Sequence, residues 1–164
     1  MERNRSTRIY TVSTVSIGLS ILMFSFFVLI GIILRMNQGS MINLSSDVFY
    51  ALMTAHGVGM AVSLFIGSYS CAWFLLNKYI RLSIRLMWIV FLLNLAGFIG
   101  LLISTIIGNF GAGWYMLYPL PFILETWHPY TTTLIILSLS FWGFSWLFIF
   151  LDILRATTQE FGLS

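Results

Sequence analysis

Phe49-Tyr-Ala-Leu-Met-Thr-Ala-His-Gly-Val-Gly-Met60 lies inside an apolar run that extends from about Val48 to Leu76. Crossing a bilayer takes about 20 predominantly apolar residues. This run exceeds that length and contains no Asp, Glu, Lys or Arg, so it reads as a transmembrane helix. Its one unexpected member is His56. An ionisable side chain at membrane depth is costly and marks a functional site by default. Gly57 and Gly59 beside it thin the helix where a flat, bulky group can approach, and an imidazole there suits a haem iron.

The rest of the chain has the same character. Of 164 residues, 59% are hydrophobic and only 8% charged, with a mean hydropathy of +0.96; soluble domains carry about 25% charged residues. The expected fold is all-α, a polytopic membrane protein with one transmembrane domain over residues 1–164. Its four helices fall at about 10–34, 48–76, 83–107 and 130–154. The first is preceded by Arg3, Arg5 and Arg8, as a signal peptide would be. It is nevertheless too long for the apolar core of one and lacks a small-residue cleavage site, so it reads as a retained helix. Eight basic residues scattered between apolar spans form no phosphate-binding stripe, which argues against nucleic acid as a partner. The single cysteine, Cys71, excludes an intrachain disulfide or a multi-thiolate metal site. It reads as a packing residue.

Charge orients the helices. With the N-terminus in the cytoplasm, that side receives Arg3, Arg5, Arg8, Lys78, Arg81, Arg85 and Arg155, and the opposite side Arg35 alone. Cytoplasmic loops carry the excess of Lys and Arg, so both termini are expected there, in what reads as a prokaryotic plasma membrane. All three prolines, Pro119, Pro121 and Pro129, fall in the outer segment 108–129, which therefore is not a continuous helix. Its Trp and Tyr residues suit the membrane interface. The segment reads either as an interfacial aromatic loop or as a lid. His56 lies about nine residues inside the outer end of the second helix, roughly 13 Å at 1.5 Å per residue, which puts it beneath this segment.

Residues three and four apart share a helix face. In the second helix that rule groups Leu52, His56, Gly59, Met60, Ser63 and Gly67. Such a face suits a porphyrin slot. It equally suits a close helix–helix contact, which also favours Gly and Ser, with His56 hydrogen-bonded to the neighbouring helix. Spacing leaves both readings open.

Several segments, taken in order, resemble the N-terminal part of subunit I of the haem–copper oxygen reductases. Tyr50-Ala-Leu-Met-Thr-Ala-His-Gly-Val-Gly59 is similar to that family's second helix. Gly111-Ala-Gly-Trp-Tyr-Met-Leu-Tyr-Pro-Leu-Pro121 resembles its Gly-Trp…Tyr-Pro-Pro outer loop, although Leu120 here separates Pro119 from Pro121. Ile32-Ile-Leu-Arg-Met-Asn-Gln-Gly39 is similar to the end of its first helix. Ser83-Ile-Arg-Leu-Met-Trp88 and Leu151-Asp-Ile-Leu-Arg155 are compatible with the B-type members. The resemblance covers four helices and essentially the whole chain.

It implies that His56 is one axial ligand of a low-spin haem iron and that Arg35 hydrogen-bonds a haem substituent, with Gly59, Trp114 and Tyr118 in the same cofactor-binding set. Arg35 as a snorkelling helix-end residue is the plainer reading. The family's subunit I has about a dozen helices, and this chain lacks the later histidines that bind copper and the high-spin haem. The expectation is therefore one piece of a split terminal oxidase subunit I. It would not be catalytic alone, and would share its haem with partner chains that carry the remaining helices and the other oxidase subunits. The alternative is an accessory or assembly subunit of a respiratory membrane complex that binds no haem. A small transporter with His56 in its path would need polar residues on several helices facing it, and few are offered. Asp152 is expected to pair with Arg155 at i+3, Asp47 to belong to the cap of the second helix, and His128 to be an ordinary loop residue.

Overall fold

A computed structural model describes residues 2–112 and 127–162, with side chains from Tyr10 onward. The described residues form four helices long and apolar enough to cross a membrane, and no strand. They are α1 (Glu2–Gln38), α2 (Ser46–Leu76), α3 (Ile84–Leu102), continued by a π-helical turn over Ile103–Ile107, and α4 (Thr131–Phe161).

Each helix buries a seam whose members alternate three and four residues apart. On α1 it runs Ser13, Ser16, Ser20, Met23, Phe27, Ile30 and Leu34. On α4 it runs Thr131, Ile135, Ser138, Trp142, Ser145, Ile149, Asp152 and Ala156. On α2, Ala55, Gly59, Ser63, Ile66, Ser70 and Trp73 keep the same rhythm, as do Met87, Val90, Asn94, Gly97 and Leu101 on α3. A repeat averaging 3.5 residues is the signature of knobs-into-holes packing with a left-handed supercoil. The seams are rich in small and hydroxylated residues, whereas large apolar side chains such as Leu22, Leu29 and Phe150 point outward. That polarity suits a lipid surround, where helices associate through close packing and internal hydrogen bonds because lipid tails are as apolar as leucine.

Several seam hydroxyls are satisfied locally. Ser63, Ser138 and Ser145 each donate to the carbonyl four residues back, at 2.6, 2.8 and 2.8 Å. Ser20 instead crosses to the Ser63 carbonyl at 2.8 Å and ties α1 to α2. Asn94 on α3 donates to the Tyr69 hydroxyl on α2 and, at 2.7 Å, to the Val90 carbonyl. Removing the hydroxyl in Tyr69→Phe leaves one buried amide N–H of Asn94 unpaired. The expected cost is about 1 kcal/mol, the scale of an interhelical hydrogen bond in a membrane, measured as a shift in the unfolding midpoint in mixed micelles.

Three helices outrun their expected ends. α1 extends from residue 2 to Gln38, beyond the apolar 10–34, because nothing before Gly39 interrupts its backbone ladder. α2 starts at Ser46, where the Ser45 hydroxyl caps Val48 N–H at 3.4 Å and Asp47 sits in the first turn. α4 continues past 154 to Phe161 and stops at Gly162, whose φ of 62° is the left-handed conformation that ends helices. Asp152 explains this continuation. Its side chain is fully buried, accepts from the Ser83 backbone N–H at 2.9 Å, and pairs with Arg155 at 2.7 Å. Arg155 also donates to the Arg81 carbonyl at 3.2 Å. The α2–α3 connection and the C-terminal part of α4 are thus latched at the end of the bundle that holds both termini.

At the far end the helix that starts at Ile84 widens into the π turn. The Ser104 and Thr105 hydroxyls both donate to the Leu101 carbonyl, at 3.0 and 2.7 Å, which satisfies backbone where the α ladder is interrupted. Beyond it, Gly108 leaves no space for a side chain, since a Cβ there would lie 2.0 Å from Thr131. The Phe110 and Trp127 rings meet tilted at 46°, with centres 4.5 Å apart. Gly111 lies against Tyr50 and Ala51 at the start of α2.

Candidate functional site

His56 lies ten residues into α2, at the seam with α1. Here the two helices exchange a ring for a glycine. A Cβ on Gly31 would come within 2.6 Å of the His56 ring, and a Cβ on Gly59 within 2.2 Å of the Phe27 ring. Gly31 follows Phe27 by four residues and Gly59 follows His56 by three, so each pair shares a face of its helix. Close approach at this level depends on both glycines.

The exchange fixes the imidazole. Its Nδ1 is 2.7 Å from the Phe27 carbonyl. A carbonyl only accepts, so Nδ1 carries the hydrogen and donates, and in the neutral ring Nε2 keeps its lone pair. Among the described residues Nε2 has no hydrogen-bond partner. A ring held at one nitrogen by a backbone carbonyl, with the other nitrogen unprotonated, is the usual arrangement of a metal-ligating histidine. It is also a sufficient arrangement for a histidine that only joins two helices. The second of the two spacing-based readings, a bond to the neighbouring helix, is therefore present as geometry, and it leaves the coordinating atom free.

An open groove of about 460 Å³ lies beside the ring, lined by Val28, Gly31, Ile32, Arg35, Met36, Met41 and His56. Its size falls in the range of small-molecule and cofactor sites. Two of the expected site residues, His56 and Arg35, meet in it. Arg35 donates to the Gln38 side chain at 2.8 Å and is exposed at the end of α1, so its guanidinium is within reach of solvent. Gly59 does not join them: it is buried, and the Phe27 ring fills the space it leaves. Trp114 and Tyr118 lie outside the described residues. The described flanks of their segment pack over the start of α2, where Gly111 touches Tyr50.

The remaining candidates are plainer. His128 is exposed, stacks on Tyr130 at 5.5 Å, and accepts at its carbonyl from Thr131 at the start of α4. Cys71 is exposed rather than packed inside. It lines a second groove of about 370 Å³ with Ser20, Phe24, Leu64 and Gly67, further along the same α1–α2 seam. No group of three or more His, Cys, Asp or Glu comes together among the described residues. Sequence reasoning missed Phe27, Gly31, Met36 and Met41. Gly31 alone carried a signal, as a small residue one helical turn before Arg35.

Comparison with known proteins finds no matching family model, no matching curated protein and no matching solved structure.

Proposed function

We propose that this chain is the N-terminal four-helix piece of a split haem–copper oxygen reductase subunit I, in which His56 supplies one axial ligand of a low-spin haem. The observation that carries the reading is the His56 ring itself. Nδ1 is committed to the Phe27 carbonyl, Nε2 has no hydrogen-bond partner among the described residues, and the ring borders an open groove shared with Arg35. These residues fit a haem in donor chemistry: a neutral imidazole for the iron and a guanidinium for an anionic or carbonyl substituent. Gly59 does not fit as part of that slot, because Phe27 occupies it.

When bound, such a haem supplies one-electron transfer toward an oxygen-reducing centre. The work of this chain is to hold and orient. The Phe27 carbonyl fixes the imidazole tautomer and raises the basicity of Nε2. Gly31 lets the ring sit close enough to α1 for that bond. Partner chains would supply a further ligand and the remaining helices. The charge distribution supports cytoplasmic termini, and on this reading the groove lies in the outer half of a prokaryotic plasma membrane.

One observation favours a second reading, an accessory or assembly subunit without haem: the His56–Phe27 and Phe27–Gly59 contacts already account for both residues as helix packing. A reduced-minus-oxidised spectrum of the mildly solubilised native complex separates the two. Loss of the low-spin haem band in His56→Ala, with the complex still assembled, supports ligation. An unchanged spectrum rejects it and leaves the accessory subunit.

A further inference from the structure

Six buried side-chain nitrogen and oxygen atoms have no hydrogen-bond partner among the described residues: Ser13 Oγ, Ser16 Oγ, Ser70 Oγ, Trp73 Nε1, Asn77 Nδ2 and Trp142 Nε1. Five belong to α1 or to α2 and the residue that ends it, towards the end of the bundle that holds the termini. The pairing of the two helices brings them together. Antiparallel contact sets Gly31 beside His56, Phe27 beside Gly59 and Ser20 beside Gly67. Continued by one turn, the same register sets Ser16 level with Ser70, and by a further turn Ser13 level with Trp73. The ring contact of Tyr10 with Phe74, centres 5.0 Å apart, lies just beyond. Ser13, Ser16, Ser70 and Trp73 are each at most 2% exposed. Asn77 follows one turn after Trp73 at the end of α2.

These serines differ from the other seam serines. Ser63, Ser138 and Ser145 bond back to their own helix, whereas Ser13, Ser16 and Ser70 do not. An unpaired polar group at membrane depth is strongly unfavourable, and five within about two turns would add up to a large penalty. We propose that this third of the α1–α2 interface is a hydration site: a small cluster of internal water bridges the Ser13, Ser16 and Ser70 hydroxyls to the Trp73 indole N–H, and exchanges with bulk water past Asn77. Water suits the set because it both donates and accepts. Hydroxyls can use either role, Trp73 and the Asn77 amide nitrogen need an acceptor, and water adds no charge. Buried water typically makes about three such bonds. The proposal stands apart from the haem reading and uses no residue of the His56 groove.

Trp142 provides the internal control. Its Nε1 is equally unpartnered, but it is pressed against Gly97, where a Cβ would lie 2.6 Å away, and no other unpartnered buried polar atom of the described residues lies on α3 or α4 to share a water with it. The test is water-edited solid-state NMR on the full chain, ¹⁵N-labelled at tryptophan, in lipid bilayers. The Trp73 indole signal is expected to build up from water several-fold faster than that of Trp142. Equal, slow build-up at both indoles would overturn the hydration site. In Ser16→Ala/Ser70→Ala the Trp73 signal is expected to slow toward that of Trp142. Build-up unchanged from the wild type would overturn the bridge through the serines.

Discussion

Gly59→Ala should unseat the α1–α2 pair. The added methyl meets the Phe27 ring at 2.2 Å, well inside contact distance, so one of the two must move. Phe27 cannot swing freely, because it is fully buried and packs edge-on against Phe26 and Phe98, with ring centres 5.5 and 5.9 Å away. Overpacking of this kind costs about 1–3 kcal/mol, occasionally more. The cost is read as a fall in the unfolding midpoint in mixed micelles, together with weakened protection of the α1–α2 contact from hydrogen exchange. A compensating change identifies the cause. Phe27→Leu in the Gly59→Ala background should recover part of the loss, since contacting residues are energetically coupled. Additive losses would show that the strain lies elsewhere. Because the Phe27 carbonyl also holds His56, Gly59→Ala is further expected to loosen the imidazole, a link that ties the stability of the pair to the candidate site.

The second large effect is expected at Asp152. Its carboxylate joins three pieces of chain: the start of α3 through Ser83 N–H, its own helix through Arg155, and, by way of Arg155, the Arg81 carbonyl. Asp152→Ala strands the Ser83 N–H, and an unpaired buried donor costs about 1–3 kcal/mol. The ion pair adds little to that figure, because the Arg155 side chain is 45% exposed and such pairs are screened by solvent. Asp152→Asn keeps an oxygen for Ser83 and should cost distinctly less. The order of the two variants, measured as unfolding midpoints, is the check. If Asn is as damaging as Ala, the charge and not the backbone bond holds the latch.

Much of the architecture was legible because hydrocarbon imposes a simple rule. A run such as Val48–Leu76, with no Asp, Glu, Lys or Arg, has few alternatives to a spanning helix. His56 was legible for the opposite reason, as the one exception within that run. The Asp152–Arg155 pair was legible from its i+3 spacing. The extent of α4 was not, because a charge that marks a helix end in an unpaired chain can sit inside the bundle once Ser83 and Arg155 satisfy it. The π turn at Ile103–Ile107 was hidden, since apolar residues in lipid carry no pattern that separates an α from a π ladder. The candidate site was legible as a residue type but not as a geometry. Which face of α1 meets His56, and that Phe27 rather than a cofactor fills the space at Gly59, depends on the register between two helices. Small residues at several positions made more than one register plausible on spacing alone.

The helices pair most extensively with their neighbours in sequence, α1 with α2 and α3 with α4, and the two pairs meet chiefly where α3 and its π turn touch both α1 and α2. For biogenesis this arrangement suits delivery of the chain to the bilayer as two successive hairpins. The first closes on its ring-for-glycine exchange and the second on the Asp152 latch, each with contacts made within its own half. Loop-closure entropy is then small at each step, and the late event is a docking of two preformed pairs across Phe27 and Phe98. Partner helices, where present, would meet a surface whose inner packing is already complete.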